Sequence, residues 1–350
     1  MSNLETAPDE KVCSAGEASG IPRRLEILEP REVPLGGPRA MTVRRTLPQR
    51  QRSMVGAWCF LDHYGPDDVS AGPGMQVPPH PHTGLQTVSW LFAGEVLHRD
   101  SVGSVSTVRP GELNLMTAGR GISHSEQSPD PVYSRPPVLH GVQLWTALPS
   151  TAVGTAPTFE HHADLPALEA PGALARVFLG QLPAQHHLGV LSALRSPATT
   201  FTPLVGAQID LAPGAALTLV LDPTFEHAVL VDTPGVIDVD GDPVGWSELG
   251  FIAAGALETT VRAAPDAPAR LILIGGEPFA EEIVMWWNFV GRSHEDVVQA
   301  RADWARQLAG PGAAAGEPAA RFGTVTGYDG PALPAPQLPG VRLAPRRNRA

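Results

Sequence analysis

The chain has 350 residues, of which 43% are hydrophobic and 17% are charged, and its formal net charge at pH 7 is −11. This length is enough for one large or two medium hydrophobic cores. The acidic charge argues against general affinity for nucleic acid or anionic lipid. No N-terminal apolar segment is present and no stretch approaches the length of a membrane span, so we expect a cytoplasmic protein.

Proline and glycine interrupt the chain throughout. The 37 prolines and 36 glycines favour many turns and short strands over long helices. Residues 1–22 have no hydrophobic periodicity, and we expect a disordered leader there. Short apolar alternations then predict strands from residue 23 to about residue 150. Within this part, Val55–Leu61 is predicted to be a buried strand that ends at the turn signal Asp62–Pro66.

Two short triplets among these strands carry metal-binding side chains: His80-Pro81-His82 and His124-Ser125-Glu126. Side chains of an extended strand alternate between faces, so residues i and i+2 point the same way. The strands and turns between the triplets are long enough for the chain to leave one wall of a barrel and return opposite it. Three imidazoles and one carboxylate facing a common centre suit a first-row divalent metal ion with one or two open positions.

Two other histidines in this part are expected to form hydrogen bonds. His63 lies at a predicted strand exit, where a hydrogen bond to a loop is the favoured role. His98, Arg99 and Asp100 are adjacent in sequence and cannot all face one centre. We therefore interpret His98 as a hydrogen-bonding residue between strands in preference to a metal ligand.

The second half of the chain, residues 151–310, repeats the rhythm of short strands and turn signals that is typical of a sandwich or barrel. It resembles a second copy of the first plan, with Glu226-His227-Ala228 where the first copy has its H-x-H triplet. Since neither an H-x-H nor an H-x-E triplet occurs there, we expect this domain to bind no metal.

The C-terminal part of the chain contains the one strong helix signal. Ser293 and Asp296 form a predicted capping box, and an apolar stripe extends over residues 294–308. Residues 311–350 form a tail rich in proline, alanine and glycine. We expect this tail to drape over the surface or to be disordered, with Phe322 as its best candidate for an anchor.

Longer strings around the two triplets resemble the pirin family of the cupin superfamily. The strings are HPHTGLQTVSW from His80, GEVLHRDSVG from Gly94, MTAGRGISHSE from Met116, WCFLDHYGP from Trp58, LHGVQLW from Leu139 and EPFAEEIVMWWNFVGR from Glu277. The resemblance implies an all-β fold with two tandem cupin-type (jelly-roll) β-barrels and a C-terminal helix. Residues 23–150 would form the N-terminal metal-binding domain, and residues 151–310 the C-terminal cupin-like domain without metal.

The resemblance also implies a function. It implies iron, held by His80, His82, His124 and Glu126, although the donor types also suit Zn, Mn, Ni or Cu. For some bacterial members it implies quercetin 2,3-dioxygenase activity. In that reaction a flavonol-like small molecule loses its 3-hydroxyl proton, reacts with O2 and opens to a depside with release of carbon monoxide. We predict that Glu126 is both a ligand and, when it loosens, the general base.

One departure from the broader cupin pattern supports this assignment of the carboxylate. Many cupins have a glutamate ligand four or five residues after the second histidine, where this chain has Gln86 and Thr87. Glu126 must therefore supply the carboxylate from the other triplet, as in pirins. Gln86 is expected to be a hydrogen-bonding neighbour at best.

Two other classes of function stay open at the level of sequence, because a fold does not determine a function. Pirins are also associated with roles as transcription cofactors. The chain could therefore be an iron-binding, redox-sensing regulatory protein that has a protein partner and no turnover. In the third class the site holds structural zinc or has decayed, and the protein binds a small molecule.

Overall fold

The computed structural model describes residues 25–35, 41–130, 136–185, 191–310 and 320–345. The predicted leader, residues 1–22, lies outside these ranges. Strands account for nearly all of the regular structure in the described part of the chain. This confirms the prediction of an all-β protein whose strands are short and separated by frequent turns.

The N-terminal half contains two antiparallel sheets that face each other. Its strands are β1 (Glu26–Leu28), β2 (Arg31–Leu35), β3 (Met41–Leu47), β4 (Trp58–Asp68), β5 (Gln76–His82), β6 (Leu85–Ala93), β7 (Val96–Asp100), β8 (Val105–Val108), β9 (Leu113–Thr117), β10 (Ile122–Gln127), β11 (Val138–Ala147) and β12 (Thr158–His162). The seven-stranded sheet has the order β12-β9-β6-β11-β4-β3-β2, and the four-stranded sheet has the order β5-β10-β7-β8. Buried apolar side chains such as Tyr64 and Leu91 of the larger sheet pack against Val77 and Val96 of the smaller one.

The C-terminal half has a similar arrangement of an eight-stranded and a four-stranded sheet. Its strands are β13 (Ala167–Ala170), β14 (Ala173–Gln185), β15 (Leu191–Arg195), β16 (Leu204–Leu211), β17 (Ala216–Val220), β18 (Glu226–Val231), β19 (Val236–Val239), β20 (Asp242–Gly245), β21 (Leu249–Ile252), β22 (Glu258–Arg262), β23 (Ala269–Gly276), β24 (Val284–Trp286) and β25 (Phe289–Gly291). The larger sheet has the order β1-β21-β18-β23-β16-β14-β13, with β15 paired to β14, and the smaller has the order β17-β22-β19-β20.

Two strands pair across the middle of the molecule. Strand β1, near the start of the chain, pairs with β21 of the C-terminal sheet, and Ile27 lies opposite Gly250. Strand β12 lies beyond residue 150 but pairs with β9 of the N-terminal sheet. Each added strand covers a sheet edge that would otherwise expose unpaired backbone groups. The predicted boundary at residue 150 therefore separates both β1 and β12 from the sheets that they complete.

The two halves share one apolar core. The side chains of Trp58 and Trp90 from the N-terminal sheet pack with Phe178 from the C-terminal sheet in a single buried cluster. The indole nitrogen of Trp58 donates hydrogen bonds to the carbonyl oxygens of Val205 at 3.2 Å and Gly275 at 3.1 Å. The contact between the halves buries apolar area and pairs the polar indole nitrogen of Trp58. Both interactions stabilise the packing of one half against the other.

Strand β4 is longer than predicted. The turn signal Asp62–Pro66 does not end it, and the strand continues to Asp68. Gly65 adopts φ of 74° and the partner strand β11 has an irregularity between Leu139 and Gly141. A bulge of this kind absorbs a glycine and a proline without ending the strand. His63 therefore lies within a buried strand and not at its exit.

The predicted helix is confirmed. Helix α1 extends over His294–Leu308, and Ser293 and Asp296 form the predicted capping box. Its buried residues are Val297, Ala300 and Trp304. This helix, the single one in the described part of the chain, lacks the length and apolar composition needed to cross a bilayer.

The described part of the tail, residues 320–345, packs on the strands that carry the two triplets. Phe322 is 1% exposed, and its ring lies 5.6 Å from the ring of Trp304, which confirms its predicted role as an anchor. The Phe322 carbonyl accepts a hydrogen bond from the backbone nitrogen of Ser123, and the backbone nitrogen of Leu333 donates to the Pro79 carbonyl. The tail is thus tied to both β10 and β5.

Replacement of Phe322 by alanine should destabilise the protein by about 3–5 kcal/mol, because it removes a fully buried aromatic side chain. The change is measured as a shift in the urea midpoint of unfolding. Val341, which is 57% exposed in the same tail, provides the matched control, and its replacement by alanine should cost less than about 0.5 kcal/mol. Equal midpoints for the two variants would show that the tail is not anchored through Phe322.

Candidate metal centre

The pairing of β5 with β10 brings the two triplets together. In this antiparallel pair His124 lies opposite His80, and the register shifts between His124 and Glu126. The triplets therefore lie on neighbouring strands of one sheet, and the expectation that they face each other from opposite walls is wrong. The intervening chain passes through both sheets before it returns beside β5, a long-range pairing that local spacing does not determine.

The four predicted side chains form a buried group. His80, His82 and His124 are fully buried and Glu126 is 2% exposed. One donor atom from each of the three histidines lies within 4.8 Å of the others, and the same limit groups Glu126 with His124 and His98. The predicted residues thus belong to two overlapping triples that share His124.

The orientation of the imidazoles fits a metal ion. The Nε2 atoms of His80, His82 and His124 are all buried without a hydrogen-bond partner. The Nδ1 atom of His80 lies 2.8 Å from the Pro78 carbonyl oxygen and must donate to it, which leaves the lone pair on Nε2. Unpaired buried nitrogens are costly, and coordination of an ion offsets that cost. The residues present therefore fit a bound divalent metal.

A second histidine orients His124 from behind. His98 Nε2 lies 3.0 Å from the carboxylate Oδ2 of Asp100, and His98 Nδ1 lies 3.3 Å from His124 Nδ1. Since the carboxylate accepts, His98 carries its proton on Nε2, and its Nδ1 accepts from His124. His124 then carries its proton on Nδ1 and presents the lone pair of Nε2 to the centre. Such a carboxylate–histidine–ligand relay fixes tautomer and ring orientation in metal sites.

Asp100 is itself held firmly. Its Oδ1 accepts hydrogen bonds from the backbone nitrogens of Val102 at 3.0 Å and Ser104 at 2.9 Å. Although burial acts to raise its pKa, the hydrogen bonds from His98 and Ser104 keep the pKa of Asp100 below its usual value. The expectation of a hydrogen-bonding His98 agrees with this geometry, whereas the role of Asp100 was missed. The same i, i+2 spacing that revealed the triplets could have found this pair.

The carboxylate of Glu126 has its own partner. The Ser89 hydroxyl on β6 donates to Glu126 Oε1 at 3.0 Å. Gln86, in contrast, directs its amide nitrogen to Thr117 Oγ1 at 3.0 Å and the Thr199 carbonyl at 3.1 Å. Glu126 therefore lies beside His124 and His98, whereas the amide of Gln86 is engaged with Thr117 and Thr199.

Burial keeps the histidines neutral at pH 7. It lowers the pKa of His80 to about 3. Burial and repulsion from the neighbouring imidazoles place the pKa values of His82 and His124 well below the usual value. A neutral imidazole is the form that binds a metal ion, so the site needs no deprotonation before binding.

The metal-free protein should lose stability as the pH falls below about 6.5, the pKa of histidine in the unfolded chain. Because the folded-state pKa is lower, the unfolded chain binds protons first, and each such histidine costs about 1.4 kcal/mol per pH unit. Replacement of His82 by leucine should reduce this slope by about 1.4 kcal/mol per pH unit. Urea unfolding of both proteins in the presence of a chelator at pH 7.5, 6.0 and 5.0 measures how the free energy of unfolding depends on pH. Identical slopes for the unmodified protein and the leucine variant would contradict the account.

Replacement of Asp100 by asparagine should weaken metal binding by about 10–100-fold, because the amide no longer fixes the His98 tautomer that His124 requires. Competition with a chromophoric chelator measures the dissociation constant for Zn²⁺. Asp68 is exposed and hydrogen-bonds the backbone of Ser70, so Asp68→Asn is the matched control and should leave affinity unchanged. An Asp100→Asn variant with unaltered affinity would remove the relay from the site.

The chain matches known proteins over both halves. The family model described as Pirin matches residues 40–146, and the one described as Pirin C-terminal cupin domain matches residues 206–309. A Pseudomonas aeruginosa protein named "Putative quercetin 2,3-dioxygenase" is 39% identical over 335 residues, which are 94% of this chain and 97% of that protein. A "Pirin-like protein" of Caulobacter vibrioides is 36% identical over 267 residues, which cover 75% of this chain and 87% of the relative.

A solved structure has a similar overall fold. The crystal structure of a quercetin 2,3-dioxygenase from Acinetobacter baumannii superimposes with a TM-score of 0.78 at 37% sequence identity. The match covers 91% of this chain and 97% of that one. With two cupin domains, matches to both family models and relatives aligned over most of their length, the chain belongs to the pirin family of the cupin superfamily.

Proposed function

We propose that this protein is a metal-dependent dioxygenase that uses Fe(II) and O2 to open a flavonol-like substrate, as in quercetin 2,3-dioxygenase chemistry. The observation that carries the proposal is the group of three buried Nε2 atoms without partners, with Glu126 beside one of these histidines, His124. The names of the relatives from Pseudomonas aeruginosa and Acinetobacter baumannii support the choice of substrate class.

His80, His82, His124 and Glu126 would hold the metal. Bound there, iron would act as a Lewis acid that lowers the pKa of the flavonol 3-hydroxyl. Imidazole and carboxylate ligands are compatible with iron, zinc, manganese, nickel and copper, so the ligand types alone do not select the metal. The family resemblance favours iron. The relay from Asp100 through His98 would keep the His124 lone pair directed at the ion throughout turnover.

Glu126 would accept the substrate proton. A general base must lie within hydrogen-bonding reach of the proton that it removes, and Glu126 is the carboxylate grouped with His124 and His98. Ser89 donates to one of its oxygens and so limits rotation of the carboxylate. The side chain is 2% exposed, and exclusion of water strengthens its interaction with a developing charge nearby.

Replacement of Glu126 by glutamine should lower oxygen uptake with quercetin by about 10²–10⁴-fold, because the amide cannot accept the 3-hydroxyl proton. The amide oxygen still offers a ligand atom, so a measurable part of the metal affinity should remain. The assay is anaerobic reconstitution with Fe(II), followed by oxygen consumption with a panel of flavonols. Glu95, on the surface turn before β7, provides the matched Glu→Gln control with unchanged uptake.

Two results would redirect the assignment. Unchanged uptake in the Glu126→Gln variant would remove Glu126 from proton transfer. If the unmodified, iron-loaded protein consumed no oxygen with any flavonol, the dioxygenase proposal would fail and a regulatory or structural role for the metal would take its place. A flavone that lacks the 3-hydroxyl serves as the substrate control and should support no uptake.

A further inference from the structure

A second cluster of metal-ligating side chains lies between the two halves of the molecule. His63 on β4 and His140 on β11 come from the N-terminal sheet, and Asp232 follows β18 in the C-terminal half. The exposed fractions are 0% for His63, 8% for His140 and 1% for Asp232. None of the three belongs to the candidate metal centre on β5 and β10.

The donor atoms of this cluster converge on one point. Asp232 Oδ1 lies 2.8 Å from His63 Nε2 and 2.7 Å from His140 Nε2, and the two nitrogens are 3.3 Å apart. Metal–ligand distances of about 2.0–2.2 Å place neighbouring ligands of an octahedral ion about 3.0 Å apart. The three separations lie on either side of that value, so a small expansion would accommodate an ion.

Surrounding groups hold the other side of each ligand. His63 Nδ1 lies 2.9 Å from the Ser247 hydroxyl, which leaves Nε2 to face the cluster. Arg270 Nη1 donates to Asp232 Oδ2 at 3.2 Å, which leaves Oδ1 to face the histidines. Ser247 adopts a left-handed backbone with φ of 64°, and such strain persists in a non-glycine residue when the surroundings impose it.

We propose that His63, His140 and Asp232 form a second binding site for a divalent transition-metal ion, which clamps the N-terminal half to the C-terminal half. Two imidazoles and one carboxylate on one face of an ion leave further coordination positions open. Zinc, nickel, cobalt and iron in the divalent state all suit this donor set. The site is independent of the dioxygenase chemistry.

Without an ion, the same atoms can be joined by hydrogen bonds, with both Nε2 groups donating to Asp232 Oδ1. A neutral imidazole has one proton, so ion binding requires that proton to move to Nδ1. For His63 the Ser247 hydroxyl is positioned to accept it. For His140, the charge of Asp67 interacts electrostatically with the imidazole, and Asp67 Oδ2 is buried without a hydrogen-bond partner.

The local charge balance tolerates a cation. The positive charges of Arg44 and Arg270 lie near the cluster and disfavour a bound cation. The negative charges of Asp67, Asp210 and Asp232 favour a bound cation. Arg270 forms ion pairs with both Asp210 and Asp232. Burial would raise the pKa of Asp232, but hydrogen bonds from His140 and His63 lower it to about 2, so the carboxylate is ionised at neutral pH.

His140 provides the route from solvent, since it is the most exposed member of the cluster. Titration of the chelator-stripped full chain with Zn²⁺, followed by equilibrium dialysis and elemental analysis, should give two equivalents per chain. The His140→Ala variant should bind one equivalent, at the β5–β10 centre. The His82→Ala variant should also retain one, at the interdomain site. Bound Zn²⁺ should raise the thermal midpoint of the His82→Ala variant.

His161 provides the matched control, because it lies outside both clusters and its ring hydrogen-bonds Asn114. The His161→Ala variant should bind two equivalents. The proposal is overturned if the unmodified chain binds one equivalent that the His82→Ala variant loses, or if His140→Ala still binds two. If His140→Ala does not fold, Asp232→Asn replaces it. The stoichiometries of the unmodified chain and of the two variants together decide the test, and flavonol turnover does not enter it.

Discussion

The antiparallel pairing of β5 with β10 is the constraint on which the candidate metal centre depends. It sets His124 opposite His80, and both imidazoles are fully buried. A slip of one residue would turn every side chain of a strand to the other face. Strand β7 pairs with β10 on the side away from β5, with His124 opposite Asp100. The tail adds the Ser123–Phe322 backbone hydrogen bond, so both contacts help to hold β10 in this register.

Desolvation and hydrogen bonding act together at this centre. Burial depresses the pKa values of the three histidines and keeps them neutral, while Pro78, His98 and Asp100 determine which ring nitrogen of His80 and His124 keeps a lone pair. Rigid surroundings hold a binding site in the geometry that it needs before the ligand arrives. The shared core around Trp58 connects the N-terminal sheet to the C-terminal half.

Local patterns predicted the features that depend on local geometry. The i, i+2 spacing found both triplets, and the Ser293–Asp296 capping box located the start of the helix, because each depends on residues a few positions apart. Other features depend on pairings between segments that are distant in the sequence. These are the adjacency of β5 and β10, the pairing of β1 with β21 and of β12 with β9, and the contact of His63 with Asp232. The alternation of side chains predicts which face of a strand a residue occupies. It does not predict which strand will be the neighbour in the sheet.

The most direct test of the central claim is anomalous diffraction at the iron edge from crystals grown anaerobically with Fe(II). We expect an anomalous peak about 2.0–2.3 Å from the Nε2 atoms of His80, His82 and His124, with a Glu126 oxygen beside it. No peak at that position in iron-loaded protein would contradict the account, because the buried lone pairs on which it depends would then bind no ion.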